Sequence, residues 1–136
     1  MIVVMENSTI LCFGFDRPMH LERMLKSLEE NKESIDSDVY ICIDGPAEGT
    51  DKVMHAKTVE VAKNNWNFKS KNLILRKENL DCRTNIINTI TELFETNDRL
   101  IILEDDLVLG TNFLSYMNGA LNKYINDTSM WCINAY

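Results

Sequence analysis

The sequence has no C-x-x-C pair, no apolar run of membrane-spanning length and no excess of basic charge. Each absence closes a class of function. Cys12, Cys42, Cys82 and Cys132 lie far apart, whereas zinc sites and disulfide frameworks need closely spaced or dense cysteines. They therefore read as buried free thiols in a reducing compartment. The apolar start Met1–Met5 is cut by Glu6, too short for a signal-peptide core or a membrane span. The expectation is a cytoplasmic protein with no membrane span. With 14 Lys and Arg against 21 Asp and Glu, the formal net charge is -7. That leaves no basic footprint for nucleic acid or an anionic membrane. A small anionic ligand stays compatible, because it needs only local positive groups or a metal.

Two nucleotide signatures are also missing. No G-x-G-x-x-G follows the first strand-like run, which removes the dinucleotide fingerprint. No G-x-x-x-x-G-K-[ST] accompanies Leu100–Asp106, so that stretch is not the second half of a P-loop site. A phospho-acceptor receiver is disfavoured too, since the acidic cluster follows the fourth strand-like run rather than the first. No low-complexity tract, linker or internal repeat divides the chain. Its 136 residues suit a single domain with one core.

What is present alternates. Thr9–Phe13 is an apolar strand-like run, followed by Asp16 as a candidate cap, Pro18, and Leu21, Met24, Leu25 and Leu28 at helical spacing. Val39–Ile43 reads as a second strand closed by Asp44-Gly45-Pro46, after which Thr50 or Asp51 can cap a helix running toward Trp66. Leu73–Leu75 is a short third strand. Ile86, Ile87, Ile90, Leu93 and Phe94 then form the apolar side of a helix. Leu100–Leu103 is the fourth strand. Beyond it, Gly110-Thr111 opens a helix carrying Phe113, Leu114, Met117, Leu121, Tyr124 and Ile125, and Met130–Ile133 reads as a fifth strand. Alternation with crossover-length connections predicts an α/β fold: a Rossmann-like, mostly parallel sheet with helices on both faces.

In such sheets ligands bind beyond the carboxyl ends of the strands. There the sequence places Asp16 and Arg17, Asp44, Arg76, Lys77 and Glu78, and Glu104, Asp105 and Asp106. Three adjacent carboxylates repel one another and resist burial unless paired or metal-bound. A divalent cation held by hard oxygen ligands would compensate them; a solvated acidic turn is the plainer alternative.

Phe13-Gly14-Phe15-Asp16-Arg17-Pro18, Val39–Gly45, Glu78-Asn79-Leu80 and Leu103-Glu104-Asp105-Asp106 occur in this order. Together they resemble the nucleotide-sugar-dependent glycosyltransferases of GT-A fold, in particular the inverting N-acetylglucosaminyltransferase I type and its bacterial relatives. The last motif is similar to that family's D-x-D element in an E-D-D form. The resemblance implies that Asp106 coordinates Mn2+ or Mg2+ bridging a donor diphosphate, Asp105 contacts the ribose and Glu104 the donor sugar. It further implies that Asp44 accepts a hydrogen bond from uracil, with Arg17 and Arg83 near the base or diphosphate. The function so implied is inverting transfer from a UDP-sugar in glycan or surface-polysaccharide synthesis. A non-catalytic α/β binding or regulatory module, with a structural or metal-binding acidic strand end, is the alternative.

Several of these residues have plainer readings: Asp16 as a helix cap, Asp44 as turn chemistry before Gly45, Arg83 as a solvated helix residue. His20 and His55 read as surface residues without a role, and Trp66 and Trp131 as core. Residues 1–136 are expected to form the nucleotide-binding half alone, truncated before the half that supplies the general base and binds a glycan or lipid-linked acceptor. Such a half is expected to transfer sugar poorly or not at all, and its open sheet edge to favour a homodimer.

Overall fold

The computed structural model describes residues 6–135, so the apolar start Met1–Met5 lies outside the described residues. Four strands form one all-parallel sheet: β1 (Thr9–Gly14), β2 (Asp38–Ile43), β3 (Ser70–Leu75) and β4 (Leu100–Glu104), in the order β3-β2-β1-β4. Four helices join or follow them: α1 (Pro18–Glu29), α2 (Lys52–Lys63), α3 (Cys82–Phe94) and α4 (Phe113–Lys123). The α/β parallel sheet with helices on both faces is therefore as expected.

The order of strands explains where the helices sit. From β1 to β2 to β3 the chain moves outward in one direction; from β3 to β4 it returns across β1 to the other side. Right-handed crossovers then require the returning helix to cross on the opposite face. Accordingly α1, α2 and α4 share one core with Ile10, Cys12, Val39, Ile41, Ile43, Ile101 and Leu103. Helix α3 packs its Ile86, Ile90 and Leu93 against Leu11, Phe13 and Cys42 on the other face. Alternate residues of β1 and β2 serve the two cores, as the twofold repeat of a strand dictates.

Helix α1 forms as its apolar spacing predicts. Leu21, Met24, Leu25 and Leu28 are all fully buried, each contributing about 1.5–3 kcal/mol of transfer free energy. Pro18 occupies the first turn, where its missing N–H is harmless. The residue before the helix is Arg17, and no side chain caps the end, so Asp16 does not act as the cap. Asp51 caps α2, accepting from the Val53 and Met54 N–H groups at 3.0 Å.

Four further expectations need correction. Met130–Ile133 forms no strand among the described residues, and Trp131 is 94% exposed rather than core. Strands exist only with a ladder partner, and here local turn chemistry prevails: Asp127 accepts from both the N–H and the hydroxyl of Ser129. Trp66 does pack against the core, with its indole N–H donating to the Val61 carbonyl. The cysteines divide: Cys12 and Cys42 are buried, whereas Cys82 and Cys132 are exposed. On α3 the buried stripe is Asn85, Thr89 and Leu93, while Ile87 and Phe94 face outward. Asn85 and Thr89 turn inward because they meet Arg76, just past the end of β3, and the Cys42 thiol.

Candidate functional site

The carboxyl ends of β1, β2 and β4 surround a cavity of about 390 Å³ at the point where the strand order reverses. A parallel sheet opens a crevice there because the loops on either side of that point diverge to opposite faces. Phe13 to Arg17 enter from the end of β1, Asp44 and Ala47 from β2, and Glu104 and Asp105 from β4. Asn79, Asp81, Cys82 and Asn85 close it from the β3–α3 connection.

Asp44 is only 5% exposed, and its carboxylate is a structural hub. One oxygen accepts from the Gly45 N–H at 2.9 Å and the Leu80 N–H at 3.0 Å; the other accepts from the Asn79 amide at 3.2 Å. The β2–α2 and β3–α3 loops are thereby clamped together. Their contact is so close that a Cβ on Gly45 would stand 2.3 Å from the Glu78 carbonyl carbon. Glycine is required at 45 for this approach. An ionised carboxylate offers about four acceptor positions, so Asp44 retains one for a ligand. His55, which the sequence leaves without a role, donates its Nε2–H to the Asp44 main-chain carbonyl at 2.7 Å and packs edge-on against Phe15. It braces one wall of the cavity.

At the opposite wall, Arg17 meets Asp105 through two guanidinium nitrogens, Nε lying 3.3 Å from Oδ2 and Nη2 contacting Oδ1. The pair joins residues 88 positions apart. Asp105 is 4% exposed; burial pushes its carboxyl up from the ordinary range, and the Arg17 charge opposes that rise. Arg17 is 47% exposed and also lies 3.9 Å from Asp106. The loop after the acidic triplet is pinned to α1 by Ser27, which accepts from the Leu109 N–H, and the first turn of α4 is held by Asn31, which follows α1 and accepts from the Leu114 N–H, both at 3.0 Å.

Asp81 begins α3 with φ of 63°, a left-handed value that costs a residue with a side chain about 1–3 kcal/mol. Its carboxylate accepts from the Thr84 N–H at 3.0 Å and hydroxyl at 2.8 Å. These bonds hold the Asp81 carboxyl below its ordinary range.

Of the residues predicted from sequence, Arg17, Asp44, Glu104 and Asp105 share the cavity. Arg83 is exposed and does not line it, and Asp106 stands just outside, beside Arg17. Asn85 and Cys82 line it without having been singled out, since a polar residue inside an isoleucine-rich helix carries no motif. Asn79 lies within the Glu78-Asn79-Leu80 segment, which implies no role for it, and Asp81 directly follows that segment.

The donor set bears on a metal. Five carboxylates and one guanidinium line the cavity, an unfavourable setting for a diphosphate without a cation. Asp81 and Asp105 are satisfied by protein donors, and Asp44 is engaged by three, the Leu80 N–H being shared between its two oxygens. Asp16 and Glu104 at the wall, and Asp106 at the rim, keep free oxygens. Among the described residues no cluster of three or more Asp, Glu, His or Cys side chains is placed to hold a metal ion alone. This set fits Mg2+ or Mn2+ held by one or two carboxylates together with phosphate oxygens, which is how such ions are commonly bound. Compared with known proteins, the chain matches no protein-family model and no curated protein.

Proposed function

We propose that this chain is the donor-binding domain of a metal-dependent glycosyltransferase of GT-A type, taking a UDP-sugar for inverting transfer in glycan or surface-polysaccharide synthesis. The observation that carries this reading is the convergence of Arg17, Asp44, Glu104 and Asp105 on one cavity at the switch point of a parallel sheet. Asp44 offers its remaining acceptor position to an N–H of the base. Arg17 spends two nitrogens on Asp105 and keeps further N–H groups for diphosphate oxygens. Glu104, exposed and unpaired among the described residues, presents a carboxylate to sugar hydroxyls. Asp106 would hold Mn2+ or Mg2+. A divalent ion supplies neutralisation of the charge that develops on a leaving diphosphate.

One observation favours a second reading, a non-catalytic α/β binding or regulatory module: Asp105 is already neutralised by Arg17. The acidic strand end would then be structural.

Calorimetric titration with UDP separates the two. The expected result is binding in the presence of Mn2+ that is lost without the metal and lost in Asp106→Ala. Absence of binding, or binding indifferent to both metal and substitution, overturns the donor-site reading.

A further inference from the structure

Asn85 is 4% exposed and lines the cavity from the first turns of α3. Its side-chain oxygen faces donors: Arg76 Nε at 3.4 Å and the Cys42 thiol at 3.5 Å. Thr89 Oγ1 also stands 3.4 Å away, but that hydroxyl donates to the Asn85 main-chain carbonyl at 2.7 Å. Arg76 is itself firmly held. Its main-chain N–H donates to the Ile43 carbonyl at 3.0 Å, and Nη2 donates to Thr89 Oγ1 at 3.1 Å and to the Glu92 carboxylate at 2.9 Å.

A guanidinium has donors only. It therefore settles which end of the carboxamide turns toward it: the oxygen must, and the nitrogen must turn away. That nitrogen has no acceptor among the described residues. Nor is it among the sealed polar atoms lacking partners, which are Ser8 Oγ, Glu33 Oε2 and Asn118 Nδ2. The open space beside Asn85 is the cavity. In the free protein cavity water can serve that N–H, and a ligand acceptor takes the water's place.

We propose that Arg76 is a positioning residue that locks the Asn85 carboxamide with its nitrogen toward the cavity, making Asn85 a specificity-determining donor to a carbonyl oxygen of the bound base. The inference rests on the uridine-nucleotide reading and goes further, to base selection. Asp44 supplies an acceptor and Asn85 a donor on the same cavity. Uracil presents the complementary pair, a ring N–H beside a carbonyl oxygen. Cytosine presents the reverse, a bare ring nitrogen beside an amino group, and so places acceptor against acceptor and donor against donor.

The test is calorimetry of UDP and CDP, each with Mn2+, on the whole chain and on Asn85→Asp and Arg76→Met, with cooperative thermal melting as the folding control. The wild type is expected to prefer UDP by on the order of tenfold or more, as one hydrogen bond gained or lost commonly gives. In Asn85→Asp one oxygen still faces Arg76 while the other presents an acceptor to the cavity, so the preference should fall or invert. In Arg76→Met the amide is free to turn, and the UDP:CDP ratio should narrow even where UDP affinity changes little. A purely structural role would weaken both nucleotides alike and leave the ratio unmoved. An unchanged ratio in whichever variant melts cooperatively overturns this inference and leaves the uridine reading standing. Failure of the wild type to bind UDP overturns both.

Discussion

Arg17 and Asp105 show how one ion pair serves both folding and binding. The carboxylate is nearly buried and the guanidinium half-exposed, so the arginine is the member that a ligand can reach. Removing it leaves a buried charge unpaired. Arg17→Ala is expected to destabilise the chain at neutral pH by roughly 2 kcal/mol, less than for a fully buried pair because the arginine is solvated. The pH dependence has a definite sign. Asp105 already has a raised native value, and losing Arg17 raises it further. Between the ordinary value and the raised native one, the native state holds a proton that the unfolded chain releases, so falling pH progressively removes the cost of the buried charge. The penalty should therefore be largest in the neutral to mildly alkaline range and shrink as pH falls through the raised value. Urea denaturation at about pH 7.5 and about pH 5 checks this, and Asp105→Asn in the Arg17→Ala background should restore much of the loss. A penalty unchanged between the two pH values would mean that Asp105 is not what Arg17 stabilises.

At the scale of elements, the site is two loops and one strand end held at fixed distances. Asp44 ties the β2–α2 loop to Leu80 and Asn79 of the β3–α3 connection, and Gly45 permits the main chains to touch. A methyl group at 45 has nowhere to go, because its neighbours are backbone atoms at 2.3 Å and 2.5 Å. Gly45→Ala is expected to cost about 1–3 kcal/mol and to weaken UDP binding at least tenfold by moving Asp44 and Asn79. Glu48→Ala, in the same loop but exposed and outside the cavity lining, should leave binding within about twofold if loop spacing is what matters. Denaturation and calorimetry on the two variants separate a steric clamp from a merely flexible turn. Helix α1 contrasts with these loops. Its four fully buried apolar side chains make it a rigid platform; Ser27 on its last turn holds the loop after Asp106, and Asn31 just beyond it holds the start of α4.

At the scale of the molecule, the sheet has an open edge. Among the described residues strand β4 pairs with β1 alone, and beside it Phe94, Ile102, Met130 and Trp131 are exposed around one groove. Exposed apolar edges promote pairing between chains. The chain is expected to self-associate as concentration rises, and Ile102→Lys to suppress this without loss of helix content. Sedimentation velocity across a wide concentration range reads the outcome. A monomer throughout would remove the edge as an interface.

Much of this architecture is written locally. Val39–Ile43 and Leu100–Leu103 are continuous apolar runs that both become strands. The first lies inside the sheet as such a run suggests, whereas β4 is an edge strand among the described residues and its Ile102 faces outward, a difference that its composition does not record. The spacing of Leu21, Met24, Leu25 and Leu28 specifies α1 and the face it buries. The acidic triplet was likewise legible as a strand end, and four of the residues expected around a donor do share one cavity. The remainder depends on partners distant in sequence. Met130–Ile133 has strand composition but no ladder, and a strand is defined by its neighbour. Helix α3 carries enough isoleucine for more than one face to seem buried. Asn85 and Thr89 turn inward because Arg76 and Cys42 wait beneath them. The pairing of Arg17 with Asp105 and the clamp of Asp44 on Leu80 span 88 and 36 positions. Periodicity encodes what each segment becomes, because it reflects a segment's own geometry. Which polar groups come to face one another is set by the return crossing of α3 and β4, and no local pattern records it.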